Sequence, residues 1–410
     1  MPPLLKKALR WAVGTVCAAL LVVALLLGVL RVLMPLVPTF QEEIAEWTSN
    51  SLGYPVEFAR IEPSWGLTGP EFRLRGVRVM SERGGGPLLL ADEILVGINL
   101  WTLLPGPGLN LDRMSIVGAR LSLRRLGPES FSVQGRDPAY YPGGPARMLA
   151  FAPPEIQLRD VWVDFEEPGR NVSENLWLER LSMTIADGRI VLDGRMVLPE
   201  EYGDWLGVGA DIELAQWTRP FLPAGRWRLH LEGRSVDLAK IGELVTEAAE
   251  LPLIGSGDFN VFVDFNGAEV EQLLGELDFE DLWAAGGSGD HVFDRLAGQF
   301  EWQRQGNVAV LTASRLEAAR NGEDWPDTEV SASWTLATGG ELAALQLEAG
   351  FVRLEDAIPP LLAIAGRLGV SPALVPLAGD VNDLSLSWDS GGPALPEIRA
   401  DFSGLTVEWQ

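Results

Sequence analysis

The chain is nearly without the side chains that carry chemistry. Among its 410 residues there is one cysteine, Cys17, and there are two histidines, His230 and His291. A single cysteine excludes an intramolecular disulfide and any zinc site built on several thiolates. Neither histidine has a second His or a Cys at ligand spacing. His230 falls among the polar positions of a strand-like stretch, and His291 follows a Gly/Ser/Asp loop. Nucleophile-elbow, P-loop, H-E-x-x-H and EF-hand patterns are missing. The cluster Gly255-Ser-Gly257 opens a strand-like run rather than a helix, so it does not aim helix amides at a phosphate. Glu166-Glu167 and Glu200-Glu201 flank prolines in polar turns. These absences argue against an enzyme, and no metal or cofactor is expected.

Positive charge is scarce as well. Lysine occurs only at positions 6, 7 and 240, and the chain carries a net charge of −25. Before Thr39 lie Lys6, Lys7, Arg10 and Arg31 with no acid, so the remainder holds 28 basic against 57 acidic residues. Such a surface repels nucleic acid and anionic lipid headgroups, and nucleic acid is set aside as a partner.

What the sequence does have is one long apolar run. Trp11–Leu30 contains no charge and is fenced by Arg10 and Arg31. As a helix it would span roughly 30 Å, the thickness of a bilayer's hydrocarbon core. It is longer than a signal-peptide core and no A-x-A-like cleavage site follows, so it reads as an uncleaved anchor. The basic flank at Lys6, Lys7 and Arg10 places the N-terminus in the cytoplasm and the bulk across the membrane. The expected organisation is a tail at 1–10, a transmembrane helix at 11–31, an amphipathic helix at 38–54 and a β region at 55–410.

For the amphipathic helix, Thr39 and Glu42 suggest a capping box, and Gly53 with Pro55 suggest the stop. Phe40, Ile44 and Trp47 form its apolar stripe. That stripe fits either a plug at the end of the β region or a helix lying at the membrane surface. From Val56 onward the pattern changes to period two. Trp227, Leu229 and Leu231 alternate with polar residues, as do Phe259, Val261, Val263 and Phe265, and Leu384, Leu386 and Trp388. Leu181, Met183 and Ile185 turn through Asp187-Gly188 into Ile190 and Leu192, a hairpin signal. The fold class is therefore mostly β, built of antiparallel strands with one apolar face.

A second pattern places apolar residues at i, i+2, i+5 and i+7. It occurs at Phe72/Leu74/Val77/Val79, Met114/Ile116/Ala119/Leu121 and Ile156/Leu158/Val161/Val163. It returns at Leu277/Phe279/Leu282/Ala284 and Ala400/Phe402/Leu405/Val407. A Gly or Asp at each phase change, Gly76, Gly118, Asp160, Asp281 and Gly404, predicts a β-bulge and a bent strand. A longer repeat joins a helical segment to strands: Leu238/Ile241/Leu244/Val245 precedes 257–265 and 277–282, and Ile358/Leu361/Leu362/Ala365/Leu368 precedes 379–388 and 400–405. Each copy adds strands to one sheet, as in quasi-one-dimensional folds. The final strand pattern runs to Gln410 without a cap, so the groove is expected to be cut there or completed by another chain.

Only the segments near 40–52, 237–249 and 357–368 read as helical, too few to cover the apolar face of a sheet of many strands. Two arrangements satisfy that face: a filled sandwich, or a curled sheet whose apolar inside stays available to acyl chains.

Several stretches resemble the AsmA-like family, and within it the YhdP branch. They are the basic N-terminus, the single anchor, Gly53-Tyr-Pro-Val56, Pro63-Ser-Trp65, 69–77 and Leu100-Trp101-Thr-Leu-Leu104. The helix-plus-strand repeats are shared more loosely with TamB and AsmA. The resemblance implies a single-pass bacterial inner-membrane protein with a periplasmic β-groove that passes phospholipids toward the outer membrane. It also implies a distal partner in the periplasm or outer membrane, and no catalytic residues. Members of the branch are longer, so this chain corresponds to the membrane-proximal part. The alternative is a TamB-like scaffold for outer-membrane protein assembly. The expected groove residues are Phe72, Leu74, Val77, Val79, Ile156, Leu158, Val161, Val163, Trp227, Leu229, Leu231, Phe259, Val261, Val263, Phe265, Leu384, Leu386 and Trp388. Phe40, Ile44 and Trp47 are the membrane-proximal set.

Overall fold

The computed structural model describes residues 14, 17–18, 21–22, 24–25, 27–52, 54–66, 68–80, 87–100, 110–127, 130–135, 152–213, 217–219, 222–223, 225–245, 253–284, 291–337, 342–357, 374–391 and 396–409. The described chain is mostly β, in long antiparallel-rich ladders with few helices. Within the apolar run the described positions are helical. Among the described residues no helix is long and apolar enough to cross a membrane. The tail at 1–10 and the helical repeat at 358–368 lie outside the described residues. Two compact units are distinguished: residues 1–121 with 152–161, and residues 122–151 with 162–410.

In the first unit a 3-10 helix, Met34–Phe40, runs directly into an α-helix, Gln41–Leu52. The capping box therefore does not form. Thr39 sits inside the 3-10 turn, and its hydroxyl donates to the Leu36 carbonyl at 2.6 Å. Because the preceding turn is already helical, no amide at the start of the α-helix is left for a Thr39 cap. The helix is tied to the first strand instead. The Gln41 side-chain amide donates to the Phe58 carbonyl at 3.1 Å, and the Val56 N–H donates to the Ser49 hydroxyl at 2.8 Å.

The strands Arg60–Trp65, Pro70–Met80, Pro87–Asn99 and Asn110–Val117 form an antiparallel meander. The next partner departs from the antiparallel expectation: residues 155–159 pair parallel to 113–117. The long connection between them makes that possible, since parallel neighbours need a crossover. Apolar rows cross all five strands. One runs Ile61, Leu74, Ile94, Ile116, Leu158; the next runs Pro63, Phe72, Val96, Met114, Ile156.

The second unit contains an unbroken antiparallel meander of twelve strands. They are Val172–Ala186, Arg189–Val197, Trp205–Glu213, Arg226–Asp237, Leu253–Asn266, Glu269–Ala284, His291–Gln305, Val308–Arg320, Thr328–Leu336, Leu342–Arg353, Leu374–Asp389 and Glu397–Trp409. The Asp187-Gly188 turn has φ of 51° and 74°, the two positive values a type I′ hairpin requires.

All five predicted phase-change residues are left-handed: Gly76 at 61°, Gly118 at 65°, Asp160 at 52°, Asp281 at 51° and Gly404 at 63°. Register shifts of two residues against one accompany Asp281 and Gly404. At Gly76 and Gly118 the antiparallel register to the strand Pro87–Asn99 is kept, so the left-handed residue bends the strand there without an insertion.

Three further strands follow the same design. Ser235 (51°), Arg315 (51°) and Asp383 (49°) are left-handed at the fifth position of Leu231/Gly233/Val236/Leu238, Leu311/Ala313/Leu316/Ala318 and Gly379/Val381/Leu384/Leu386. Each coincides with a register shift. The residue after the left-handed position is brought back onto the apolar face, and it is among the most buried in the chain. Val77 is 2%, Val161 0%, Val236 0% and Leu282 2% exposed. Asp258 supports one bulge by accepting the Ser235 N–H at 2.8 Å.

At this bulged end of the strands the helix Leu238–Val245 covers part of the apolar face. Leu238 packs against the buried cluster Phe279, Leu282, Phe293 and Ala318, and Ile241 against the buried cluster Leu198, Tyr202 and Val236. A polar latch lies nearby. Buried Asp356 accepts from Arg320 at 2.9 Å and from the Trp325 indole at 2.8 Å, and Trp325 sits edge-on between Phe293 and Phe351.

The bulges have a measurable signature. A left-handed L-residue is strained by about 1–2 kcal/mol, so Arg315→Gly is expected to raise the unfolding midpoint and Arg315→Val to lower it in urea titrations. Removing the latch with Asp356→Ala takes away the carboxylate partner of Arg320, leaving it only the Glu355 carbonyl, and is expected to cost about 3–5 kcal/mol.

Candidate functional site

Directly paired residues in an antiparallel ladder lie on the same face, so the register defines the surface of the second unit. One row crosses all twelve strands: Met183, Leu192, Ala210, Leu229, Val263, Leu273, Trp302, Leu311, Ala332, Leu347, Leu386 and Ile398. Every member is apolar. The row two residues toward the bulges runs Leu181, Gly194, Val208, Leu231, Val261, Gly275, Phe300, Ala313, Val330, Ala349, Leu384. Toward the hairpin turns the face continues as Ile185, Ile190, Ile212, Trp227, Phe265, Val270, and beyond Arg304 as Ala309, Trp334, Leu345, Trp388. The rings of Trp227 and Phe265 stack at 4.0 Å.

The opposite face is mixed: charged and polar side chains dominate it, with exposed Val191, Phe262, Leu274, Val308 and Val310 among them. Arg228 donates two hydrogen bonds to Asp264 at 2.6 and 2.9 Å, Arg189 pairs likewise with Asp211, and Arg295 with Asp278. These bonds hold the Asp264 carboxyl below its ordinary value and raise the guanidinium of each arginine. His230 belongs to this face, stacked on Phe262 at 4.1 Å with Nε2 at 2.8 Å from Asn260 Oδ1. Among the described residues no His/Cys/Asp/Glu group could hold a metal ion.

The register assigns the sequence-derived residues unequally. Trp227, Leu229, Leu231, Phe259, Val261, Val263, Phe265, Leu384, Leu386 and Trp388 lie on the one apolar face. Phe259 is half-buried, packed against the two buried clusters at the bulged end. In the first unit Phe72, Leu74, Ile156 and Leu158 share its two rows, and Val79 pairs with Val56 and Leu89. Val77, Val161 and Val263 are buried, the first two following a left-handed residue that bends the strand inward. Val163 is half-buried on its strand in the second unit. Phe40 and Trp47 are exposed and Ile44 is half-buried.

Sequence reasoning missed much of the face: Leu273, Phe300, Trp302, Leu311, Val330, Leu347 and the Ala and Gly positions between them. Phe300-Glu-Trp302 and Leu345-Gln-Leu347 do alternate and were legible. Ala313, Ala332 and Gly275 carry no hydropathy signal of their own.

The charge pairing yields a pH prediction. Because Asp264 is depressed in the fold, its contribution to stability is present above its unfolded value near 3.8 and is lost as pH falls through the folded value. Asp264→Asn is expected to flatten the acid limb of a stability profile between about pH 5 and 2. The pair is solvent-exposed, so the change at neutral pH is small.

No curated protein and no solved structure matches the chain. The family described as YhdP protein matches residues 1–410, the whole length, and the chain belongs to that family.

Proposed function

We propose that the protein is a lipid-transfer protein whose apolar sheet face holds phospholipid acyl chains and lets them slide from strand to strand. The carrying observation is the row from Met183 to Ile398, twelve strands wide without one polar member, while the opposite face carries the cross-strand Arg–Asp pairs. A row continuous across strands offers an acyl chain the same environment at each step, so movement along it has no large barrier. Each Å² of tail surface removed from water contributes about 25 cal/mol, while headgroups stay hydrated. The mechanism is non-covalent, and the protein is not an enzyme.

In this reading Trp11–Leu30 anchors the chain in a bacterial inner membrane with its N-terminus in the cytoplasm. The exposed apolar side chains Val32, Leu36, Phe40 and Trp47 lie against the bilayer surface where lipid enters. The sheet curls as a periplasmic groove directed toward the outer membrane, with the distal partner there or in the periplasm. Family membership and the large sheet support this assignment.

Val261→Asp with Val263→Asp is expected to reduce co-purifying phospholipid and transfer between vesicles by at least tenfold, the scale of burying two charges near acyl chains. Phe262→Asp, between them on the opposite face, is expected to leave both near wild type. Circular dichroism checks that each variant is folded. Retained lipid and transfer in a folded Val261/Val263 double variant would overturn the proposal. Photo-crosslinkers at Phe259–Phe265 separate it from a scaffold for outer-membrane proteins, which would yield protein rather than lipid adducts.

A further inference from the structure

The two ends of the strands differ in a way that gives a bound amphiphile a direction. At one end the apolar face of the second unit is capped. Leu238 of the helix packs against buried Phe279, Leu282, Phe293 and Ala318, and Ile241 against buried Leu198, Tyr202 and Val236, with Phe259 packed against both clusters. At the other end lie hairpin turns, at Asp187-Gly188, Gly267 and Gly306, all with positive φ. Near this end of the strands the apolar face carries the indole and phenyl rings of Trp227, Phe265, Trp334 and Trp388, beside Ile185, Ile190, Ile212 and Leu345. The Trp227 N–H donates to the turn carbonyl of Gly267 at 2.9 Å while its ring stacks on Phe265, so the polar edge of the indole lies at the turn.

Tryptophan favours the boundary between hydrocarbon and water because its ring is apolar and its N–H is not. From Trp227 to Gly233, over which the Phe259 ring lies, is six residues along a strand, about 20 Å. The hydrocarbon of one bilayer leaflet is about half of 30 Å. The uncapped apolar width thus fits one set of acyl chains laid along the strands.

We infer that a bound phospholipid lies with its tails parallel to the strands, its glycerol and headgroup at the Trp227/Trp334/Trp388 rim and its methyl ends toward the Leu238–Val245 helix. The inference rests on the lipid-transfer reading and adds an orientation to it. Trp227, Trp334 and Trp388 are positioning residues in this arrangement. Lipids move sideways across successive strands, with headgroups travelling along the turn rim and never crossing the apolar rows.

The test uses the full chain in phosphatidylcholine vesicles containing a trace of phosphatidylcholine with a diazirine either on the headgroup or at the tail terminus. Adducts are mapped by mass spectrometry. The headgroup probe is expected to label the rim around Trp227, Trp334 and Trp388 several-fold more than the segment around Phe259 and Leu277. The tail probe should show the reverse. Reversed labelling, or equal labelling along each strand by both probes, overturns the orientation while leaving lipid binding in place. Absence of adducts from either probe overturns the lipid-transfer reading itself, and the orientation with it.

Discussion

Everything in this protein depends on register. In an antiparallel ladder the side chains alternate with a period of two, so a slip of one residue sends a strand's apolar set to the polar face. A single slip between Met183 and Ile398 would break the twelve-strand row and set charged residues among leucines. The bulges make this constraint demanding. Each inserted residue would invert the alternation for the rest of its strand. The left-handed residue absorbs that extra position, so Leu277, Phe279 and Leu282 remain in one apolar cluster across the bulge at Asp281.

The same device explains why the chain spends unusual backbone on ordinary residues. Gly76, Gly118 and Gly404 enter the left-handed region without strain, and Asp160, Asp281 and Asp383 are among the residues that tolerate it. Ser235 and Arg315 tolerate it less, and at Ser235 a hydrogen bond from its N–H to Asp258 offsets part of the cost. The buried valines that follow, Val77, Val161 and Val236, show where the compensation lies: the bend carries each of them out of water.

The two faces contribute differently. Exposed cross-strand pairs such as Arg228–Asp264 and Arg295–Asp278 are worth little individually. Their role is to make a flipped register unfavourable and keep that face wetted. The interior latch at Asp356 is a different case, since both carboxylate oxygens are used by Arg320 and Trp325 in a buried site. It fastens the bulged end of neighbouring strands, while the turn end carries the aromatic rim.

The sequence by itself determined that the chain is mostly β, that its strands have one apolar face, that five of them bend at Gly or Asp, and that the Asp187-Gly188 turn closes a hairpin. Those features are local, written in period, in turn residues and in the conformational freedom of glycine. The further bends at Ser235, Arg315 and Asp383 were hidden because the apolar positions around them are partly filled by Gly233, Ala313 and Gly379. Only the tertiary structure decided which strands are neighbours, that residues 155–159 pair in parallel, that Thr39 is not a cap, and that Val77 and Val161 are core. It also decided that residues as far apart as Met183 and Ile398 belong to one row. Pairing between distant strands is set by the hydrogen-bond ladder of the folded chain, and no local pattern encodes which row a leucine will join.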